Sequence, residues 1–382
     1  MADPLASKAF GGIAVRNLYK IFGPNAAAHV EAVRNGMTKT ELNALHGHVL
    51  GLRDINIEIA SGSIQVIMGL SGSGKSTLIR HINRLIDPTA GEVLVDGVDV
   101  VKMGPAELRS FRRHQTAMVF QKFALLPHRS VLDNTMFGLE IQGIERTTSR
   151  DIAMRWLERV GLKGFESKYP NQLSGGMQQR VGLARALSND APVLLMDEAY
   201  SALDPLIRMD MQSVLLDIQA EIRKTIVFIT HDLDEALRLG DQIAILRDGE
   251  VIQQGTSQDI VLRPADDYVA SFVREVNRGR VVHVEAVMTP LRGPASGGTA
   301  SGGRTMASTV TIEEALRLLV GVPEDEATVV DASGQPVGTV SFRQLAGAMV
   351  NAHEIGAHGI GAHGIGEPDI GRPMPEGRSH VA

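Results

Sequence analysis

The glycine-rich stretch 69–77 constrains the fold of this chain more than any other feature. It reads Gly69-Leu70-Ser71-Gly72-Ser73-Gly74-Lys75-Ser76-Thr77 and fits the spacing G-x-x-x-x-G-K-[ST]. An apolar run at 64–68 precedes it and a helical pattern begins at Leu78, so the sequence predicts strand, loop and helix in that order. Glycines let successive backbone N–H groups line a concavity, and the helix N-terminus adds positive partial charge. We therefore predict that this loop binds the phosphates of a nucleotide.

Two side chains of the loop carry specific chemistry. Lys75 is placed to reach the β- and γ-phosphates, and the Ser76 hydroxyl is placed to bind Mg²⁺. A Gly/Ser-rich linker that matches by chance is the alternative, but it would lack the flanking strand and helix. The loop residues predicted to bind nucleotide are Gly69, Ser71, Gly72, Ser73, Gly74, Lys75, Ser76 and Thr77.

Composition excludes several functions for this chain of 382 residues, which has room for two or three domains. The net charge of -6 argues against a general nucleic-acid binder, because phosphate contacts need a surplus of Lys and Arg. The absence of cysteine excludes disulfides, thiol catalysis and Cys-bound zinc, and it fits a reducing cytoplasm. No stretch approaches about 18 uninterrupted apolar residues, and the N-terminus has no signal-peptide pattern. We therefore expect any work at a membrane to be done through a partner.

Polar side chains end three of the predicted apolar strands. Asp197 and Glu198 end one strand, His231 follows another, and Gln121 ends a third. In open α/β sheets, ligands bind outside the carboxyl ends of the strands. One carboxylate can help to hold Mg²⁺ while the next orients and deprotonates water. A lone histidine at a strand end is usually structural, but three polar strand ends together predict a shared nucleotide site.

A second loop of small residues, Leu173-Ser174-Gly175-Gly176-Met177, precedes a helix predicted at 178–187. A helix N-terminus of this kind is another potential anion site, although glycine before a helix is common. The turn that ends in Asp204 leads into a further predicted helix at 205–222. Taken alone, neither feature identifies a function.

Near the N-terminus, the sequence predicts a strand at 13–19 that turns at 20–23. Phe22 stands just before a glycine in this turn, ahead of the phosphate loop. An aromatic ring there can stack on a nucleotide base of any kind. By residue type alone, however, a phenylalanine is more often part of a core.

The stretch 24–50 is predicted to be an insertion. Thr38 and Glu41 have the spacing of a capping box, so we expect a short helix to begin there. His46 and His48 lie close together, but they lack a third metal ligand and are expected to be surface residues.

Residues 13–273 carry, in order, every motif of the ATP-binding-cassette ATPases, which the chain resembles. The match is specific because it is a constellation: a phosphate loop alone fits many nucleotide hydrolases. The resemblance implies an α/β P-loop NTPase fold, with a mixed-sheet core and a helical subdomain. It also implies a small α+β C-terminal domain similar to a cystathionine-β-synthase (CBS) repeat.

The resemblance implies a role for each motif residue. It assigns adenine stacking to Phe22, phosphate binding to Lys75 and Ser76, Mg²⁺ binding to Ser76, Gln121 and Asp197, and catalysis to Gln121, Glu198 and His231. Glu198 corresponds to the catalytic base and His231 to the residue that contacts the γ-phosphate.

The same resemblance implies a homodimer. Ser174, Gly175 and Gly176 belong to the signature loop, which in this family contacts the ATP held by the opposite subunit. Asp204 corresponds to a carboxylate at the dimer seam. Two subunits would therefore meet head to tail with two ATP molecules between them. Met177 replaces a common glutamine, but the hydroxyl and the glycines of the loop remain.

The subfamily that the chain resembles is the ATPase of glycine betaine/proline/choline importers. This resemblance rests on the insertion and on the amino-acid sequences at 67–74, 123–128 and 201–208. It implies a separate integral-membrane permease, an extracytoplasmic substrate-binding protein that acts through it, and a peripheral position at the cytoplasmic face of the inner membrane. The alternatives are an importer ATPase for another small substrate and a soluble, non-transport cassette protein. The apolar residues of the segment after Gln121 are expected to pack either on the permease or in the core: Phe123, Leu125 and Leu126.

Four regions are predicted. Residues 1–275 form the ATPase domain, with a helical subdomain and signature at 122–190. Residues 276–309 form a linker and 310–350 a single CBS-like repeat. The Gly/His-rich tail 351–382 is expected to be disordered, because so much glycine cannot pack a core. Its three evenly spaced histidines are the weaker candidates for a metal site: His353, His358 and His363.

Overall fold

The structure is a computed structural model that describes residues 11–121, 124–201, 203–291, 304–320 and 326–350. Its strands are β1 (Ile13–Phe22), β2 (Val49–Ile59), β3 (Ile64–Met68), β4 (Ala90–Val95), β5 (Val98–Asp99), β6 (Thr116–Val119), β7 (Val193–Asp197), β8 (Thr225–Thr230), β9 (Gln242–Arg247), β10 (Glu250–Gly255), β11 (Thr289–Pro290), β12 (Thr305–Ala307), β13 (Glu326–Val330) and β14 (Pro336–Ser341). Its α-helices are α1 (Val30–Arg34), α2 (Lys39–His46), α3 (Lys75–Ile82), α4 (Pro105–His114), α5 (Val131–Gln142), α6 (Arg146–Arg159), α7 (Gly175–Ser188), α8 (Pro205–Ile222), α9 (Leu233–Leu239), α10 (Ser257–Leu262), α11 (Asp267–Val273), α12 (Ile312–Leu319) and α13 (Phe342–Val350).

Two sheets form the nucleotide-binding part of the chain. One has the order β10-β9-β3-β8-β7-β6 and is parallel except for the edge strand β10. The other is antiparallel, with the order β2-β1-β4-β5. Strands β3, β7 and β8 are buried along their whole length, as expected for parallel strands covered on both faces. The predicted α/β architecture with a mixed sheet is confirmed.

The strand register places the functional strand ends together. Met68 of β3 lies beside Thr230 of β8, and Asp197 of β7 lies beside Ile229 of β8. Strand β6 pairs parallel with β7 on its other side. The residues that follow these four strands therefore emerge at one edge of the sheet, which is where the sequence predicted the site.

One predicted boundary near these sheets is wrong. Strand β1 continues to Phe22 instead of turning at 20–23, because Ile21 and Phe22 pair with β2 across the insertion. In contrast, the helix predicted at 205–222 has those bounds, and it begins at Pro205, a residue suited to the first helical position.

The insertion folds against the N-terminal strands. Its helix α2 begins with the predicted capping box, in which Thr38 Oγ1 accepts from the Glu41 amide and the Glu41 carboxylate accepts from the Thr38 amide. Leu42 of this helix joins a small apolar cluster with residues of β1 and β2. The expectation that His48 lies on the surface is wrong, since its exposed fraction is 5%.

The C-terminal part forms a third sheet, with the order β11-β14-β13-β12 and the helices α12 and α13. Strands β11 and β12 come from residues 276–309, the stretch expected to be a linker. Met306 of β12 and the buried apolar residues of α12 join the same apolar cluster as the helices of the nucleotide-binding part. The likeness to a CBS repeat stays a prediction, and the tail 351–382 lies outside the described residues.

Among the described residues, no helix is both long enough and apolar enough to span a membrane.

Candidate nucleotide site

The phosphate loop has backbone conformations that its glycines make possible. Gly74 precedes α3 with φ of +105° and Gly69 has φ of +153°. A Cβ on Gly69 would lie 2.3 Å from the Leu246 carbonyl oxygen, so no side chain fits there. A Cβ on Gly72 would meet nothing within 4 Å, which leaves the mouth of the loop open to a ligand.

Lys75 lies inside this loop and closes it. Its Nζ donates to the carbonyl oxygens of Gly69 at 2.8 Å and Leu70 at 3.1 Å, and it lies 3.6 Å from Glu198 Oε1. Burial lowers the pKa of Lys75, while the nearby Glu198 carboxylate opposes that shift. The buried Ser73 hydroxyl has no hydrogen-bond partner. A buried cation beside an unsatisfied hydroxyl fits an incoming phosphate.

The chemistry of Ser76 and Asp197 fits a magnesium ion. Ser76 Oγ donates to Asp197 Oδ1 at 2.8 Å, and Asp197 is 3% exposed. Mg²⁺ is bound by hard oxygen ligands, often one or two protein groups together with phosphate oxygens and water. Within the described ranges, no group of three or more His, Asp or Glu side chains could hold a metal. Phosphate oxygens and water would therefore have to complete the set.

Glu198 occupies the centre of the candidate site. Gln121 Nε2 donates to its Oε2 at 2.8 Å, and His231 Nδ1 lies 3.9 Å from its Oε1. Its backbone has φ of +47°, a region that costs a non-glycine residue about 1–3 kcal/mol and that is common at functional sites. The Glu198 side chain is 18% exposed and the His231 side chain 54%, so a largely shielded carboxylate lies beside a solvent-accessible imidazole.

Sequence reasoning missed Arg80, whose guanidinium lies 3.2 Å from Asp197 Oδ2. The available signal was the i, i+4 spacing of Arg80 from Ser76, which puts both side chains on one face of α3. The partner strand β7, however, is more than a hundred residues away in sequence. The ion pair orients the carboxylate, so its other oxygen faces Ser76.

The signature residues lie at the start of α7. Ser174 caps the helix, its Oγ accepting from the Met177 amide at 3.3 Å. Gly176 faces α8, since a Cβ there would lie 2.7 Å from Ile207 Cγ2. Asp204 stands at the N-cap of α8 without a side-chain cap bond. Among the described residues, no hydrogen bond joins Ser174 to the phosphate loop of its own chain. Their partnership across a dimer stays a prediction.

Phe22 ends β1 with 40% of its surface exposed. Lys20 Nζ lies 5.0 Å from the centre of its ring, and the ring covers Gly51 of β2. A partly exposed ring on a rigid strand is suited to stacking on a base, which is the role predicted for it.

His81 is a buried histidine of α3, and its burial is expected to make stability depend on pH. Its Nδ1 donates to the Thr77 carbonyl oxygen at 2.7 Å, its Nε2 has no partner, and burial lowers its pKa to about 4. Between pH 6.5 and 4 the unfolded chain takes up a proton here that the folded chain does not. We expect the free energy of unfolding to fall by about 3 kcal/mol over this range.

Urea unfolding at several pH values tests this expectation. His81→Leu should flatten the acid dependence, although it loses one hydrogen bond. His114→Leu, at an exposed histidine of α4, should leave the dependence unchanged. Equal slopes for the native chain and His81→Leu would contradict the assignment.

The chain matches known proteins over most of its length. The glycine betaine transport ATP-binding protein OpuAA of Bacillus subtilis is 52% identical over 276 residues, 72% of this chain and 66% of that protein. The glycine betaine/proline betaine transport system ATP-binding protein ProV of Salmonella typhimurium is 46% identical over 351 residues, 89% of this chain and 83% of that protein. The trimethylamine N-oxide transport system ATP-binding protein TmoW of Ruegeria pomeroyi is 44% identical, over 86% of this chain and 94% of that protein.

Two further comparisons agree with these relatives. The ABC transporter family profile matches residues 52–201. The dimeric structure of MJ0796, a bacterial ABC transporter cassette, is 33% identical and covers 64% of this chain and 98% of that one, with a TM-score of 0.55. This chain belongs to the ATP-binding proteins of ABC transporters.

Proposed function

We propose that this protein is the ATP-hydrolysing subunit of an importer for glycine betaine and similar small osmoprotectants. The observation that carries the proposal is the convergence of Lys75, Ser76, Asp197 and Glu198 at one sheet edge, with the phosphate loop open beside them. The substrate class rests on the relatives, because an ATP-binding subunit does not itself contact the transported molecule.

The residues of the site supply the steps of ATP hydrolysis. Lys75 and the loop amides bind the β- and γ-phosphates, and Phe22 stacks on adenine. Glu198 accepts a proton from the attacking water, which Gln121 and His231 orient. Ser76, Gln121 and Asp197 would hold Mg²⁺, which when bound would supply positive charge against the phosphates. Most of the acceleration comes from positioning and charge stabilisation.

We place the permease against the cleft beside β6. This cleft has a volume of about 320 Å³, and its walls include the apolar residues Phe120, Leu126 and Phe137. Leu125 packs against the main core, whereas Phe123 lies outside the described residues. A cleft with apolar walls suits a helix from a membrane partner, which would hold the subunit at the cytoplasmic face of the membrane. An extracytoplasmic binding protein would deliver substrate to that permease.

Co-purification and uptake test the proposal. The tagged protein should bring down a multi-span membrane protein from detergent extracts. Deletion of its gene should abolish uptake of labelled glycine betaine, proline betaine or choline, and the native gene should restore it. If the deletion abolished uptake of trimethylamine N-oxide alone, that compound, which is the one named for TmoW, would be the substrate. A soluble partner and undiminished uptake of all four would favour a non-transport cassette protein.

The remaining assignments belong to the same proposal. Residues 1–275 would form the ATPase domain, and the sheet and helices within 276–350 would form a CBS-like unit. The subunit would act as a homodimer with the signature loop of each chain completing the ATP site of the other.

A further inference from the structure

We propose that His48, in its doubly protonated form, is a positioning residue that holds the adenine-stacking Phe22 in place. The proposal rests on the role proposed above for Phe22. His48 belongs to the insertion 24–50, which has no role in the mechanism of ATP hydrolysis proposed above.

His48 joins the two ends of the insertion. Its Nδ1 lies 2.7 Å from the carbonyl oxygen of His46, at the end of α2, and its Nε2 lies 2.6 Å from the carbonyl oxygen of Pro24. The residue is 5% exposed, so water does not compete freely for these contacts. A single side chain therefore closes the segment 24–48 into a loop.

The two contacts require two protons. Carbonyl oxygens only accept hydrogen bonds, and a neutral imidazole carries one N–H. Both contacts are therefore satisfied only when His48 is an imidazolium, and loss of a proton points a lone pair at one of the two oxygens. The titratable groups that face His48 are the rings of His29 and His46, with centroids 4.5 Å and 6.4 Å away.

One positive charge fits this cluster better than two or three. Burial, together with the charges of His46 and His48, lowers the pKa of His29. His29 is therefore suited to remain neutral beside a charged His48. The ring of His29 also lies 4.3 Å from that of His46, so the three rings form one cluster.

The His48 ring acts directly on the backbone that follows Phe22. A Cβ on Gly23 would lie 2.3 Å from His48 Cδ2, so the ring rests against the Gly23 backbone. Phe22 itself pairs with Val49, the residue after His48. Release of the Pro24 contact would free both the chain after Phe22 and the strand that pairs with it.

Comparing the binding of two ligands, ATP and inorganic tripolyphosphate, distinguishes a positioning role of His48 from a general loss of folding. ATP uses the phosphate loop and the stacking ring, whereas inorganic tripolyphosphate uses the loop alone. For the full chain with Mg²⁺, we expect His48→Asn, which keeps one donor, to weaken ATP binding by about threefold to tenfold and to leave tripolyphosphate binding unchanged. His46→Asn, which retains the accepting carbonyl, is the matched control and should change neither.

Equal losses of both ligands in His48→Asn would overturn the proposal, and so would unchanged binding of both ligands. Phe22→Ala separates the two ideas: if it lowers ATP binding and His48→Asn does not, only the positioning role fails. If Phe22→Ala leaves ATP binding intact, the stacking role fails.

Discussion

Glu198→Gln should reduce steady-state ATP hydrolysis by about 10²–10⁴-fold, because it removes the only carboxylate that we place against the attacking water. The new side-chain amide has nearly the same shape as the carboxylate. Its oxygen can therefore still accept the hydrogen bond from Gln121 Nε2. ATP binding should therefore remain. A subunit that binds but cannot hydrolyse ATP should accumulate as a dimer. A steady-state assay of ATP hydrolysis and size-exclusion chromatography with Mg-ATP measure the two effects.

The matched control is Glu221→Gln, at an exposed carboxylate of α8 that pairs with Arg159 far from the phosphate loop. It should hydrolyse ATP at nearly the native rate. Near-native turnover by Glu198→Gln would show that another group is the base.

Lys75→Met should weaken ATP binding by about tenfold to a hundredfold, because it removes charge-assisted hydrogen bonds worth about 1.5–3 kcal/mol. The buried methionine also leaves the Gly69 and Leu70 carbonyl oxygens without their donor. Hydrolysis at subsaturating ATP should fall by at least the same factor. Isothermal titration with ATP and Mg²⁺ measures the binding change.

Lys163→Met, at an exposed lysine that pairs with Glu158 outside the phosphate loop, is the control and should bind ATP normally. Unchanged affinity in Lys75→Met, with the thermal midpoint preserved, would remove Lys75 from the phosphate site.

Local signals were sufficient to predict the centre of the site. The phosphate loop depends on glycines and a lysine at fixed spacing, and their backbone angles follow from residue type. Asp197, Glu198 and His231 could be placed because buried parallel strands read as short apolar runs, and their ends meet at one edge.

Features that depend on distant pairing could not be predicted in this way. Strand β1 reaches Phe22 only because β2 pairs with it across the insertion. The ring of His48 contacts backbone carbonyl oxygens at both ends of that insertion. Contacts to backbone carbonyl groups leave no periodic pattern in the sequence. Strands β11 and β12 have two and three residues, too few for an alternation to be recognised.

The central claim is that the phosphate loop of one subunit and the Ser174 turn of another form each ATP site. Ser174→Asp keeps a good helix cap but places a negative charge where the phosphate of the opposite subunit would bind. Alone, Ser174→Asp and Lys75→Met should both be nearly inactive. When the two variants are mixed in equal amounts and allowed to exchange subunits, about half of the dimers should contain one chain of each kind. Each such dimer holds one intact site of two, so the mixture should regain about a quarter of native ATP hydrolysis. A mixture as inactive as its components would contradict the claim.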